Sequence, residues 1–142
     1  MYTGIKHLHS GFAYLLLAIL VISIIYVFIG FLNKKPFTEG TRKIALAGFI
    51  AAHLQLLFGL VLYFVSPLGV ESLSGEAMKN ANLRLYVVEH PLTMLIGIVL
   101  ITIGYSRAKK ATVNTDRYKK ILIFYIIGLI LILSRIPWSA WP

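Results

Sequence analysis

Apolar residues fall into four long runs that are separated by short polar linkers. The runs cover about residues 8–32, 44–66, 84–106 and 120–138. A helix needs about 20 predominantly apolar residues to cross the roughly 30 Å hydrocarbon core of a bilayer. The first three runs reach this length and the fourth nearly does, and none shows the alternation of a membrane-barrel strand. The pattern therefore predicts four transmembrane helices.

The linkers between the runs are too short to hold a second domain. Helices joined by short connections pack as antiparallel neighbours. We therefore expect residues 1–142 to form one all-α domain, an integral membrane antiparallel four-helix bundle.

The composition is typical of a membrane protein and excludes several kinds of functional site. Of the 142 residues, 58% are hydrophobic and 13% are charged. Soluble domains have roughly 25% charged residues. The chain has no cysteine, so disulfides, thiolate metal sites, iron–sulfur clusters and covalently attached haem are excluded. Neither a nucleophile–base pair nor a phosphate-binding loop is evident in the sequence.

The net charge of +9 comes mainly from two linkers. Residues 33–43 and 107–120 together carry ten of the fourteen Lys and Arg. Short loops rich in Lys and Arg stay in the cytoplasm. The sequence therefore predicts a bacterial inner-membrane protein with both termini and the linker 66–82 outside. The basic excess then indicates orientation and contact with anionic lipid, and it does not indicate nucleic acid.

A small set of polar side chains lies inside the runs or at their edges. Ionisable groups in such positions are functional candidates because lipid solvates them poorly. An interfacial position without function is the simpler interpretation for two of them, His7 and His9. The set comprises His7, His9, His53, Gln55, Glu89, His90 and Arg135.

Depth separates the histidines into two groups. His9 and His90 are expected within about a turn of each other when counted from the outer helix ends, at about 1.5 Å per residue. Counted from the inner ends they differ by roughly 10 Å. His53 is expected near mid-membrane, on the opposite side of its helix from Gln55, since two residues span about 200°.

Two histidines from different helices at similar depth are able to take both axial positions of a haem iron, and bundle cores commonly hold cofactors. Arg135 is a candidate partner for a haem propionate. Glu89 is a candidate acceptor for the second ring proton of an outer histidine. Small residues at helical spacing on three helices allow close packing, and they also leave room for a flat macrocycle.

The same residues resemble a known family. The segments 6–11 (KHLHSG), 52–59 (AHLQLLFG) and 89–91 (EHP) are similar to the small four-helix "cytochrome B" membrane proteins of bacteria, and to one half of haem A synthases. In the resemblance, His7 with Gly11 matches the first motif, Gln55 with Gly59 the second, and His90 the third. His9 is the rival of His7. Because there is one such half and no cysteine pair, the resemblance implies b-type haem binding without synthase activity.

We therefore expect an electron-transferring b-type cytochrome with one non-covalent haem near the outer face. His90 is one axial ligand and His9 the other, with His7 and His53 as alternates. A quinol is the expected electron donor, and either His53 or Gln55 is a candidate contact for a quinone head group. A homo-oligomer or a subunit of a respiratory complex is the expected assembly.

Two other functions remain open from the sequence. In the first, His7, His9, Glu89 and His90 chelate copper or zinc at the outer surface without haem. In the second, the polar residues only hold helices together within an accessory structural subunit.

Overall fold

The computed structural model describes residues 1–142, and every regular element in it is helical. The all-α class is therefore confirmed. Three helices are long and apolar enough to cross a membrane, namely α1, α2 and α4. The elements are α1 (Tyr2–Leu32), α2 (Glu39–Val65), a 3₁₀ turn (Val70–Ser72), α3 (Gly75–Lys79), α4 (Ala81–Lys110) and α5 (Asn114–Ser134).

The helices extend beyond the apolar runs on which they were predicted. α1 begins at Tyr2 instead of near residue 8, and α4 continues to Lys110 instead of ending near residue 106. Hydropathy marks the part of a helix that contacts lipid, whereas backbone hydrogen bonds continue into the polar ends. Both helices therefore carry polar turns outside the expected apolar segment.

The fourth expected span corresponds to α5, which differs from the others in length and charge. It has 21 residues, and Arg117, Lys119 and Lys120 lie in its first two turns. It ends at Ser134, before the expected end at residue 138. Pro137 lacks a backbone N–H and disfavours the helical conformation of the residue before it, which accounts for this early end.

The long helices pack as two close pairs, α1 with α2 and α4 with α5. Gly97 of α4 and Gly128 of α5 lie at a close contact of the second pair. A Cβ added at Gly97 would lie 3.1 Å from the Gly128 carbonyl oxygen. The pairs contact each other through α1 with α5 and α2 with α4.

A core of aliphatic and tyrosine side chains holds the pairs together, and two hydroxyl groups anchor α2. Ser23 Oγ of α1 donates to Ile44 O over 2.9 Å, and Tyr125 OH of α5 donates to Ala45 O over 2.6 Å. Other apolar side chains face outward, such as Ile22 at 62% exposure. Large exposed apolar side chains on long helices are what a lipid environment requires.

Candidate functional site

The N-terminal parts of α1 and α4 bring two histidines into contact. The ring centroids of His9 and His90 lie 6.2 Å apart, and the ring planes are inclined by 85°. Helix length explains why they meet. His9 lies 23 residues before Leu32 (32 − 9) and His90 lies 20 residues before Lys110 (110 − 90). The difference of three residues corresponds to about 4.5 Å along a helix, about half the separation expected from the shorter apolar run.

His90 follows an irregular turn of α4. Residues Leu85–Glu89 form a π turn, and the N–H of His90 donates to Leu85 O, five residues back. Pro91 has no N–H, so it cannot supply the α-helical donor for the carbonyl of Val87. Tyr63 OH of α2 donates to that carbonyl over 3.0 Å. The turn that presents His90 is therefore held by a side chain from the neighbouring pair.

A backbone carbonyl from the end of α5 fixes the ring of His90. Its Nδ1–H donates to Arg135 O over 2.8 Å. A carbonyl only accepts, so Nδ1 carries the proton and Nε2 keeps the lone pair that binds metals. We expected Glu89 to accept the second ring proton of an outer histidine. The structure gives that role at His90 to the carbonyl of Arg135.

Glu89 instead lies between two guanidinium groups. Its carboxylate is 2.8 Å from Arg84 Nε and 3.4 Å from Arg135 Nε. The acid therefore joins α4 to the residue whose carbonyl holds His90. Two cations around one acid leave a local positive charge at this end of the helices, and the Arg135 side chain is 48% exposed.

His9 is enclosed by the contact between α1 and α2. Its Nδ1 is buried and makes no hydrogen bond. Gly59 of α2 makes room for the ring, since a Cβ at that position would lie 3.1 Å from His9 Cε1. Gln55 Nε2 donates to the His9 carbonyl over 2.8 Å. The Gln55 Oε1 atom is also buried without a partner. The contact between α1 and α2 therefore contains an unused acceptor, Gln55 Oε1, and a ring nitrogen that is able to donate, His9 Nδ1.

The other two histidines lie apart from this cluster. His7 is exposed on α1. His53 makes its contacts on the α2–α4 side, where its ring stacks on Phe49 with 4.0 Å between centroids. Its Nδ1 is 2.7 Å from Phe49 O, and its Nε2 is 3.0 Å from Thr102 Oγ1. Gln55 and His53 thus contact different helices, as the sequence predicted.

Most of the predicted small residues are used for helix packing. Gly48 of α2 faces Ser23 and Tyr125, whose nearest atoms would lie 3.2 and 3.4 Å from an added Cβ. Gly97 packs on Gly128. Gly59 differs from these glycines because the side chain that packs against it is a histidine, His9.

Sequence reasoning missed two side chains that support the site, Tyr63 and Arg84. Pro91 was a usable signal for a donor such as Tyr63. A proline leaves the carbonyl four residues earlier without its helical donor, so a side chain from another helix is expected to supply one. Arg84 gave no comparable signal. Its distance of five residues from Glu89 is not a usual spacing for an ion pair on a regular helix, and the π turn between them brings the two together.

The donor set limits the chemistry. No group of three or more His, Asp or Glu side chains converges as a metal-ion site. Structural and catalytic zinc sites take at least three protein ligands. A metal that already has four ligands from a macrocycle needs only two, and His9 and His90 provide two imidazoles.

Comparison with models of protein families, with curated proteins and with solved structures finds no match for this chain. The functional interpretation therefore depends on the geometry around His9 and His90, on the residues that hold these rings, and on the membrane character of the helices.

Proposed function

We propose that this chain is a b-type cytochrome of the bacterial inner membrane. Its four long helices form an antiparallel transmembrane bundle with both termini on the outer side, and one non-covalent haem is held by His9 and His90. His9 and His90 would hold the haem, and the bound haem would supply a one-electron couple between a membrane quinol and a redox partner.

Charge distribution supports the membrane arrangement. The linkers after α1 and after α4 are rich in Lys and Arg, as expected for cytoplasmic loops. The histidine cluster lies at the opposite end, where Glu89 balances part of the local positive charge. α5 completes the bundle in this proposal. Its cations are confined to the cytoplasmic end, and from Ile121 to Leu133 it is uninterrupted by charge.

The single observation that carries the haem proposal is the separation of the two imidazoles. Imidazole nitrogens bind metals at about 2.0 Å. Two such rings that held one metal between them would have centroids about 6 Å apart, once the distance from each nitrogen to its ring centre is added. The centroid separation of His9 and His90 is 6.2 Å.

The surroundings of the rings also fit this role. His90 donates Nδ1–H to a carbonyl, the arrangement common in metal-binding histidines, and this leaves Nε2 free. Arg135 and Arg84 supply cations for the two anionic propionates, which must displace or share Glu89. When bound, the haem would provide the one-electron couple. The chain's own residues orient the ligands, neutralise the propionates and exclude water.

An optical spectrum of the purified protein tests the proposal directly. Haem gives a Soret band that shifts and sharpens when dithionite is added. His9→Ala and His90→Ala should each abolish haem retention. His7→Ala and His53→Ala are matched controls, because they remove histidines of the same chain that lie outside the cluster, and they should retain the band.

Two results would overturn this function. Protein that is colourless but holds stoichiometric copper or zinc would support the metal-chelating alternative. Colourless, metal-free protein from cells with adequate haem supply would support an accessory structural subunit. Loss of haem in His53→Ala with retention in His90→Ala would refute the ligand assignment while leaving haem binding intact.

A further inference from the structure

Two neighbouring crevices open where the chain turns from α1 into α2. The first, here called the head crevice, has a volume of about 490 Å³ and is lined by Lys34, Lys35, Asn114 and Thr115 above Tyr118. It lies at the end of the molecule that carries the basic linkers, far along α1 from the histidine cluster.

The walls of the head crevice offer donors and positive charge. The four ion pairs of the chain involve other residues, so Lys34 and Lys35 are not neutralised by an acid. α5 begins here with no side-chain cap at Val113, which leaves first-turn N–H groups without helical partners. Asn114 Oδ1 is already occupied, because it accepts the Phe37 N–H over 3.0 Å. Asp116, the acid of this turn, does not line the crevice.

The second crevice, here called the tail crevice, continues from the first along α1. It has a volume of about 240 Å³ and shares Lys35 and Tyr118 with the head crevice. One of its other walls is formed by Tyr26, Ile29 and Gly30 of α1, and the facing wall by Pro36, Thr38 and Thr41 at the start of α2. Tyr26 and Ile29 are 46% and 49% exposed, so the α1 wall leads from the cationic end onto exposed apolar side chains.

We propose that the two crevices bind one anionic phospholipid of the cytoplasmic leaflet. The phosphate contacts Lys34 and Lys35 in the head crevice, and the first part of an acyl chain follows the tail crevice along Ile29. A free phosphate or a phosphorylated metabolite would use the head crevice alone and would gain nothing from the apolar face. This inference depends on membrane insertion and is independent of haem.

Native mass spectrometry of the full-length protein in detergent, with phosphatidylglycerol or phosphatidylcholine added, tests the site. The test variant is Lys34→Gly with Lys35→Gln. Lys34 has φ 52°, a conformation that glycine adopts without strain, so the variant is expected to stay folded. The control is Lys109→Gln with Lys110→Gln, which removes the same charge from the other basic linker.

Phosphatidylglycerol should bind more tightly than phosphatidylcholine, and the test variant should weaken it about 25-fold. This corresponds to about fivefold, or about 1 kcal/mol, for each lysine near an anionic lipid. The control variant should change binding less than about threefold.

Three outcomes would overturn the inference. Equal binding of the two lipids would show that charge is not recognised. Equal weakening in the test and control variants would show that net charge acts without a defined site. Binding of glycerol 1-phosphate as tight as that of phosphatidylglycerol would identify a soluble phosphate ligand instead of a membrane lipid.

Discussion

Removing the Tyr63 hydroxyl should destabilise the N-terminal part of α4. Tyr63 OH donates to Val87 O over 3.0 Å, and Pro91 cannot supply the helical donor that this carbonyl would otherwise have. Tyr63→Phe therefore leaves a carbonyl on a residue that is 1% exposed without that donor. Side-chain hydrogen bonds in membrane bundles average about 0.6 kcal/mol and reach about 1.7, whereas an unpaired buried acceptor costs about 1–3 kcal/mol. We expect a loss of about 1 kcal/mol.

A double-mutant cycle isolates this interaction from other effects. Pro91→Ala restores an N–H that is able to donate to Val87 O. In that background the carbonyl has an additional donor beside the Tyr63 hydroxyl, so Tyr63→Phe should cost less than about 0.3 kcal/mol. Whatever Pro91→Ala does by itself cancels in the cycle, and the coupling energy should be at least about 0.7 kcal/mol.

The assay is equilibrium unfolding of the purified protein in mixed micelles by titration with dodecyl sulfate, followed by tryptophan fluorescence. Tyr14→Phe is the control. Tyr14 is 52% exposed and stacks on Trp141, so its variant keeps the ring and should change stability by less than about 0.5 kcal/mol. If Tyr63→Phe costs the same in the native background and in the Pro91→Ala background, the Val87 carbonyl does not depend on Tyr63 and the reasoning is refuted.

Two glycine-related predictions concern other parts of the chain. Gly59→Ala places a Cβ 3.1 Å from His9 Cε1, which should shift the ring and weaken haem retention at least about tenfold in the Soret assay, by the cost of a misplaced ligand. Gly11→Ala meets no atom within 4 Å and should leave retention unchanged, and equal retention in both variants would contradict the packing argument. Lys34→Gly should raise the free energy of unfolding by about 0.5–1 kcal/mol, because φ at Lys34 is 52° and an L side chain is strained there. Lys34→Ala keeps the Cβ and should give no gain in the same titration.

The helical class and the positions of the long helices were predictable from the apolar runs, because a lipid environment allows the backbone few kinds of regular structure. A chain in hydrocarbon has to satisfy its own backbone hydrogen bonds, and a helix does this within one segment. Helix ends were predicted less well. Polar residues such as Lys6 and Arg107 flank an apolar run without ending a helix, since neither removes an N–H nor favours another backbone conformation. Pro137 does both, and α5 ends before it.

Depth counted from one set of helix ends favoured a contact between His9 and His90, and depth counted from the other set did not, whereas the way the rings are held had no signal in the sequence. The acceptor for His90 is the backbone carbonyl of Arg135, and a carbonyl is present at every residue, so no residue type marks it. The π turn before His90 changes the direction of the ring relative to the rest of α4. A regular helical projection therefore gave the correct helix and an incomplete account of the side chain's surroundings.

His53 and His90 differ in how many of their ring nitrogens take part in hydrogen bonds within the protein. A neutral imidazole has one donor and one acceptor nitrogen. His53 has a partner at each nitrogen, Phe49 O and Thr102 Oγ1, so binding a metal would break a contact between α2 and α4. His90 uses Nδ1 alone and keeps its Nε2 lone pair, next to a second imidazole. Both residues are polar groups in apolar helices, and the sequence alone makes both of them candidate ligands. Their hydrogen bonds place both ring nitrogens of His53 in helix packing and leave Nε2 of His90 available for the ligand role that we propose.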